Sequence, residues 1–423
     1  MTSLSSLLAL PLAALLAPDS LPGPGVSLAL AQDRAAHISQ VRYALRMDVT
    51  RRDTLYGSTQ VRFQRRGAGD VILDFRGLSF SGVAVNGAAV APRAVNGHLV
   101  IPATALRIGE NTVEMQFRSA IAPAGASVIR AHDATDGADY LYTLLVPADA
   151  NQLFPCFDQP DLKARVTTTL VTPLEWKTVA NGRLAGTSDR PNAREHRFTE
   201  TEPISTYLIA FAAGPWTVRT DTVNGRPISL YVRASRAKEA ESDSIIAMNA
   251  RALAWLAKYT RQPFPFQKFD VVLAPAFPFG GMEHPGATFY NEESFIYRER
   301  PTLTQLLGRE ATIYHEVAHQ WFGDYATMRW FDDLWLKEGF ATYLAAVMQA
   351  DLSPSANAWK SFYLRNKPAA YAVDASKGTT PVWQQLANLD QAKSNYGPIV
   401  YNKAPGVLKQ LEYTVGAAAF QRG

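Results

Sequence analysis

Two histidines and a glutamate stand at a spacing that can hold a metal ion. His315 and His319 are four residues apart in the segment IYHEVAHQWFGD. On a helix they share one face, so both imidazoles can reach the same ion. Glu316 follows His315 at an angle of about 100° around the helix. It would lie near the ion without binding it, which is where a base that acts on a water molecule belongs.

A lone acidic residue in the next predicted helix completes the set. Glu338 lies in the segment DDLWLKEGFATYL, among mostly apolar neighbours. A carboxylate in that setting is costly unless it is paired or binds a metal. Two imidazoles and one carboxylate favour zinc over magnesium or calcium, and three protein ligands leave a fourth position open, as in catalytic zinc sites. The alternative is a helix whose histidines are ordinary polar groups with hydrogen-bond partners.

The segment GGMEHPG could recognise the end of a peptide. Gly280 and Gly281, followed by Met282, would let a substrate backbone approach closely and pair as an added strand. Glu283, at the end of this track, would bind an α-ammonium group and block longer chains. Considered alone, the segment is equally explained by a glycine turn with a solvated glutamate.

Together these segments resemble the aminopeptidase N family, which are zinc exopeptidases of the gluzincin group that also includes leukotriene hydrolase. The resemblance rests on GGMEH, on HEVAHQWFGD, on the glutamate nineteen residues after His319, and on FPCFDQPDLKA at 154–164. These segments follow one another in the family's order. The resemblance covers nearly all of the chain from about residue 25.

The resemblance implies a role for each residue of the site and one Zn²⁺ ion per chain. The implied roles are zinc ligation by His315, His319 and Glu338, general base catalysis by Glu316, and recognition of the N-terminal amine by Glu283. The family also has a Tyr-x-Lys-Gly segment, matched here by YNKA. This match assigns Tyr401 the stabilisation of the transition state, by donating its hydroxyl to the developing oxyanion. Ala404 stands where glycine is usual.

Four positions depart from the family's pattern. His284, Asp324 and Lys337 each stand where asparagine is common. Val146 stands about where many relatives carry Gln or Glu facing the first substrate pocket. An apolar wall there predicts a preference for apolar N-terminal residues, and the hypothesis fails if an N-terminal Arg substrate outperforms Leu.

The elements that must position these residues divide the chain in two. Short alternating strands and four Asn-Gly pairs (Asn86, Asn96, Asn181 and Asn224 with the following glycine) predict an antiparallel β-sandwich-like domain at 32–222. Helical spacing around Ile245 and from about Leu303 onward predicts a mostly helical zinc catalytic domain at 223–423, which the resemblance identifies as thermolysin-like. The fold class is thus multidomain β + α. The family's C-terminal helical domain is absent from this chain, so we expect a truncated member.

Composition limits the partners and the compartment. The formal net charge of +4 is small for 423 residues and its basic residues are scattered, so no nucleic-acid partner is expected. A short apolar run near the N-terminus predicts an export leader at 1–31, with Ala29–Ala31 as a possible cleavage site. We expect a periplasmic or extracellular protein without stable membrane insertion, a cytoplasmic location being the alternative. The oligomeric state is not predicted.

The function predicted from these residues is hydrolysis of the N-terminal residue from peptides that have a free N-terminus. Two alternatives remain open at this stage. A zinc endopeptidase could use the same helix, and a non-catalytic scaffold could keep the fold. Intact ligands, base and tyrosine count against the scaffold.

Overall fold

The computed structural model describes residues 21–423. Most of the predicted leader, residues 1–20, lies outside the described residues. The possible cleavage site at Ala29–Ala31 lies inside the first helix, α1 (Leu28–His37), where Leu30 and Ala31 are buried. The Ser27 side chain accepts a hydrogen bond from the backbone N–H of Leu30 and so caps this helix.

The first half of the chain is dominated by strands. They are β1 (Ile38–Asp48), β2 (Thr54–Arg65), β3 (Val71–Asp74), β4 (Ser79–Val85), β5 (Ala88–Ala89), β6 (Arg93–Val95), β7 (His98–Ile101), β8 (Gly109–Ala122), β9 (Val128–His132), β10 (Asp139–Thr143), β11 (Ala164–Thr172), β12 (Lys177–Ala180), β13 (Leu184–Arg190), β14 (Ala193–Phe198) and β15 (Phe211–Gly214). A short helix, α2 (Ala150–Leu153), interrupts them.

These strands form a twelve-stranded sheet and a three-stranded sheet. The large sheet runs β12-β15-β10-β9-β8-β2-β1-β11-β14-β13, with β4 paired to β8 and β5 paired to β4, and the small sheet is β3-β7-β6. In β8 every second residue is buried, which is the two-residue period of a half-buried strand. The β-rich fold agrees with the prediction. Two pairings in this half are parallel rather than antiparallel. β1 pairs with β11, more than a hundred residues later in the chain, and β8 pairs with β9, which follows it after residues 123–127.

Three of the four Asn-Gly pairs form the predicted tight hairpins. Asn86, Asn96 and Asn224 and the glycine after each have positive φ, as a type I′ turn requires. Asn181 is different, because its buried side chain accepts a hydrogen bond from Ala210 N and donates to the carbonyl oxygens of two distant residues. A hairpin signal there is overridden by tertiary contacts.

The second half begins with a five-stranded sheet in the order β16-β17-β18-β20-β19. Its strands are β16 (Thr217–Val223), β17 (Arg226–Val232), β18 (Val271–Ala274), β19 (Gly281–Met282) and β20 (Thr288–Asn291). The domain boundary predicted at 222/223 falls at the end of β16, so this sheet starts a few residues before it. β19 is an edge strand and has one side free of strand partners.

Helices cover this sheet and form the rest of the chain. They are α3 (Ser242–Thr260), α4 (Leu303–His319), α5 (Leu334–Leu352), α6 (Ala358–Ser361), α7 (Lys367–Asp374), α8 (Ala404–Val415) and α9 (Ala417–Arg422), with π-helical turns at Phe362–Asn366 and Ile399–Lys403. A capping box between Thr302 and Gln305 starts α4. Within residues 21–423, no helix has both the length and the apolar character needed to cross a membrane.

Candidate metal centre

Three donor atoms from two adjacent helices meet at one point. His315 and His319 lie in the last turns of α4, and Glu338 lies in the first turn or two of α5, which packs against α4. The Nε2 atoms of the two histidines are 3.0 Å apart, and each is 3.2 Å from Glu338 Oε2. The sequence-predicted ligand set is therefore brought together by the fold.

The chemistry of this donor set fits a zinc ion. His319 Nδ1 lies 3.0 Å from the carbonyl oxygen of Phe322. It must donate there, which leaves Nε2 with a lone pair. This lone pair and the carboxylate oxygen of Glu338 face each other at 3.2 Å and repel unless a cation lies between them. A tetrahedral zinc site with bonds of about 2.0–2.1 Å has ligand separations of about 3.3 Å, close to the observed spacing.

Glu316 lies beside the ligands but is placed for a different task. Its side chain is buried, and an oxygen of its carboxylate lies within 4.8 Å of the donor atoms of His315 and His319. Burial raises the pKa of Glu316 well above its usual range, and the carboxylates of Glu283 and Glu338 raise it further. A glutamate with a raised pKa is suited to accept and return a proton near neutral pH.

The GGMEHPG segment contains the edge strand β19 and lies along the cavity that holds these side chains. Gly281 pairs with Tyr290 of β20 through the inner side of β19. A Cβ atom on Gly281 would approach Glu316 Cγ and Oε1 to 2.6 Å, so any other residue here would displace the base. At Gly280 a Cβ would meet Thr312 at an ordinary 3.6 Å. The absence of a side chain thus matters most at Gly281.

Glu283 is close to the metal ligands and already has a cationic partner. It is buried, and one of its oxygens lies within 4.8 Å of the donor atoms of His319 and Glu338. The Lys337 ammonium donates to Glu283 Oε1 and lies 3.1 Å from Glu338 Oε1. Burial alone would raise the pKa of Glu283, but Lys337 and His319 outweigh it and leave the pKa below its usual value.

Two more of the departures from the family pattern, His284 and Asp324, lie next to this pair. Among the described residues, neither ring nitrogen of His284 and neither carboxyl oxygen of Asp324 has a hydrogen-bond partner, although both residues are fully buried. Burial lowers the pKa of His284 to about 3, so the ring is neutral. Burial raises the pKa of Asp324 well above its usual range, and the charge on Glu283 adds to the rise.

Two tyrosines, Tyr396 and Tyr401, also line the cavity. The ring of Tyr401 lies 6.0 Å from the ring of His315, centroid to centroid, and 6.4 Å from that of Tyr396. Burial raises the pKa of Tyr401 well above its usual value, so its hydroxyl is a donor at neutral pH. The sequence prediction missed Tyr396, because it belongs to no motif and reaches the site only through the turn that precedes Tyr401.

The three donor residues, Glu283, Glu316, Lys337 and the two tyrosines line one cavity of about 850 Å³. Val146 and Pro147 of the N-terminal half form part of its wall, together with Met282 and the aliphatic surface of α5. Val146 therefore contacts the cavity, as its aligned position predicts. The residues that could hold a metal, the base and the glutamate that could bind an amine all open into this one space.

The N-terminal half also supports the site from behind. The Asn181 side chain donates to the carbonyl oxygen of Pro285, two residues after Glu283. The ring of Tyr207 lies 4.9 Å from Lys337 Nζ, which is a cation–π contact. No local sequence signal indicates these contacts, because both cross the boundary between the two halves.

A helix with two histidines and a glutamate, joined to a third ligand on the next helix, defines the class of zinc metallopeptidases. The model of the peptidase family M1 domain matches residues 246–423, and that of the peptidase M1 N-terminal domain matches residues 39–208. The chain belongs to peptidase family M1, a family of zinc metallopeptidases.

Curated relatives agree with this assignment. Aminopeptidase N of Streptomyces lividans is 32% identical over 95% of this chain and 48% of its own length. Aminopeptidase M1-A of Oryza sativa subsp. japonica is 30% identical over 75% of this chain and 36% of its own length. A leucyl aminopeptidase of Saccharolobus solfataricus is 28% identical over 65% of this chain and 35% of its own length. The chain spans half or less of the length of these relatives.

Proposed function

We propose that this chain is a zinc aminopeptidase that removes the N-terminal residue from peptides, with one Zn²⁺ held by His315, His319 and Glu338. The observation that carries the proposal is the meeting of the three donor atoms, at separations of 3.0–3.2 Å, in the cavity that also contains Glu283 and Glu316. Membership of family M1 and the names of the relatives support it.

Each residue of the site has a part in this reaction. A bound zinc ion would supply Lewis acidity that polarises the first peptide carbonyl. Glu316 takes a proton from the attacking water and later delivers it to the leaving amine, which its raised pKa allows. The Tyr401 hydroxyl donates to the developing oxyanion. The peptide backbone pairs with the free side of β19, where Gly281 carries no side chain that would displace Glu316.

Glu283 limits the cut to one residue by binding the α-ammonium group. In this chain Glu283 is shared between the substrate amine and Lys337, since the lysine already donates to it. The amine therefore joins an existing ion pair rather than a free carboxylate. Val146, at the position where many relatives carry Gln or Glu, adds no second acceptor to the wall of the cavity.

A pair of peptides and a chelator test this function. A leucyl peptide with a free N-terminus is expected to be cleaved, its N-acetyl twin is not, and a zinc chelator should abolish the cleavage. Release of products is measured by chromatography. Equal cleavage of both peptides would indicate an endopeptidase, and no cleavage of either, with zinc bound, would favour the non-catalytic scaffold.

The apolar wall beside the first substrate residue sets the preference for that residue. We expect an N-terminal Leu to be preferred over Arg by about tenfold or more in kcat/KM, because Val146, Pro147 and Met282 offer no partner to a guanidinium and leave it partly desolvated. The measurement compares leucyl and arginyl peptides of otherwise equal sequence. An arginyl peptide that is the better substrate would contradict it.

We propose that the protein is exported, and the apolar run near the N-terminus supports this. The packing of α1 bears on where a leader would be removed. The carbonyl oxygens of Gly23 and Gly25 lie 2.9 and 3.1 Å from the buried His98 Nε2, and Leu30 and Ala31 are buried. Cleavage after Ala31 would remove these contacts, so processing is expected before Gly23. N-terminal sequencing of the secreted protein would check this.

A further inference from the structure

The segment FPCFDQPDLKA belongs to the N-terminal half, and most of it packs there. Phe154, Cys156 and Phe157 are fully buried in the core of that half. The Asp158 side chain accepts hydrogen bonds from Asn151 and Thr206 of the same half. These contacts stay within the N-terminal half and do not connect the segment to the metal centre.

Lys163, near the end of this segment, points the other way. Its Nζ donates to the carbonyl oxygen of Asp324 at 2.6 Å and to that of Tyr325 at 2.8 Å. Both acceptors belong to the catalytic half and are more than 160 residues away in the chain. A half-buried ammonium that bonds two successive carbonyl oxygens fixes the backbone between them.

The turn that Lys163 holds is the one that follows the metal-binding helix. The N–H of Asp324 donates to the carbonyl oxygen of His319 at 3.0 Å. Two residues before Asp324, the carbonyl oxygen of Phe322 accepts a hydrogen bond from His319 Nδ1 at 3.0 Å. The turn thus contacts His319 twice, once at the backbone carbonyl of the histidine and once at its imidazole ring. The second contact sets which nitrogen of the ring is free to bind a metal.

Among the described residues, the Asp324 side chain adds no hydrogen bond that would hold the turn. Its carboxyl group is fully buried and has no hydrogen-bond partner among the described residues. Lys163 donates to the backbone of this same residue and is the cationic end of the segment that comes from the N-terminal half. Without it, the turn would have to be held by its internal bonds alone, such as that from Thr327 Oγ1 to Asp324 O.

We propose that Lys163 is a positioning residue of the metal centre: the N-terminal half, through this lysine, holds the turn that orients His319 for the metal. The inference rests on the proposed function only in requiring that the centre binds zinc. It assigns a task to FPCFDQPDLKA that lies in the other half of the molecule. It also makes the affinity for zinc a property of both halves.

The test is the dissociation constant for zinc, measured on the full chain by competition with a chromophoric chelator. Lys163→Met is expected to weaken zinc binding by about 10–100-fold, the range found when groups that orient metal ligands are removed. Lys163→Arg keeps a cation of similar reach and should recover part of this loss. Arg183→Met is the matched control, because Arg183 Nε also donates across the two halves to a carbonyl oxygen, that of Gln267 at 3.2 Å, away from the metal.

A second readout separates orientation of the ligand from general weakening of the fold. Cobalt(II) bound in place of zinc should give a changed visible spectrum in Lys163→Met and an unchanged one in Arg183→Met. If Lys163→Met does not fold, Lys163→Gln, which keeps a donor, takes its place in both measurements. Zinc affinity within twofold of the wild type in the lysine variants, with the same cobalt spectrum, would overturn the inference.

The outcome for this inference is independent of the outcome for the reaction. If the wild type binds zinc but cleaves no peptide, the proposed reaction fails, while a weakened Lys163→Met still supports the positioning role. If the wild type cleaves leucyl peptides and Lys163→Met binds zinc equally well, only the positioning role fails. A wild-type chain that does not bind zinc would contradict both.

Discussion

The buried charges of the N-terminal sheet and those of the metal centre differ in how fully they are paired. In the N-terminal half, Asp74 accepts from both terminal nitrogens of Arg34 at 2.8 and 2.6 Å, from Asp158 N at 2.9 Å, and faces His98 Nδ1 at 2.7 Å. Among the described residues, Arg34 Nε is the side-chain atom of this group that lacks a partner. We call these four residues the N-terminal cluster.

The second group, the site cluster, consists of Glu283, Glu316, Asp324, Lys337 and Glu338. Four carboxyl groups surround one lysine there, and both oxygens of Asp324 have no partner within residues 21–423. Buried polar groups are normally paired, because an unpaired one costs stability. The comparison teaches that the N-terminal cluster pairs its polar groups with one another, whereas the site cluster keeps acidic groups without partners close to the place where a metal ion and a substrate amine could bind.

The largest expected effect comes from the base of the site cluster. Glu316→Gln keeps the shape of the side chain but cannot accept a proton, so kcat/KM for a leucyl peptide should fall by about a thousandfold. Zinc content, measured by atomic absorption, should be unchanged, because Glu316 is not one of the three ligands. Activity within tenfold of the wild type would remove Glu316 from the mechanism.

An intermediate effect is expected from the dependence of the free energy of unfolding on pH, through Asp158 of the N-terminal cluster. Burial raises the pKa of Asp158 to about 6, the Asp74 charge adds to it, and hydrogen bonds from Thr206 and Asn151 oppose it. Because the pKa of Asp158 is higher in the folded state than in the unfolded state, its contribution to the free energy of unfolding is fully present below about pH 4. This contribution is lost as the pH rises to about 6. A shift of two pKa units corresponds to about 3 kcal/mol.

The variant Asp158→Asn removes this titration. The difference in free energy of unfolding between the variant and the wild type should therefore change by about 2–3 kcal/mol in favour of the variant between pH 4 and pH 7. The reason is that only the wild type must bury a charged carboxylate at the higher pH. Urea unfolding at several pH values gives the two curves. The neighbouring Asp74, whose pKa is lowered by Arg34 and His98 against the effect of burial, loses its contribution only below about pH 4. Parallel curves for the two proteins would show that Asp158 is not the titrating group.

The smallest expected effect is on the affinity for an amine. Lys337→Gln removes a cation next to Glu283, and a charge about 5 Å away at an effective dielectric constant of about 20 is worth about 3 kcal/mol. After screening, we expect at least about a tenfold tighter binding of an α-ammonium group. The inhibition constant of leucinol reports this binding.

The matched control for that measurement is 4-methylpentan-1-ol, the same molecule without the amine. Its inhibition constant should be unchanged by Lys337→Gln, because it carries no charge. Equal constants for leucinol in the two proteins would mean that Lys337 does not compete with the amine for Glu283. In that case Glu283 of the site cluster would behave like Asp74 of the N-terminal cluster, as an acidic group whose pairing within the protein does not affect the binding of a ligand.

How much the sequence predicts depends on the range of the interaction that decides each feature. The spacing of His315 and His319 is set within one helix, and the three Asn-Gly hairpins are set within four residues, so all of them follow from local rules. The β-rich first half and helical second half follow from periodicity. These are features that a short window of sequence contains.

The features that could not be predicted depend on partners far away in the chain. Lys337 was marked only as a departure from asparagine, and its pairing with Glu283 needs α5 and β19 to pack together. Asn181 resembled a hairpin signal, yet its side chain is held by residues from both halves. The contacts of Lys163 span more than 160 residues. No local window contains such information.

Lys337 and Glu338 are consecutive residues of α5, and this adjacency links two binding events. The lysine donates to Glu283, the glutamate that would bind the amine, and the next residue, Glu338, would be a ligand of the metal. Whatever factor a bound amine applies to the affinity for zinc, bound zinc must apply to the affinity for the amine, because coupling between two sites is reciprocal. Titrating zinc with leucinol present, and leucinol with zinc present, should therefore yield one coupling constant.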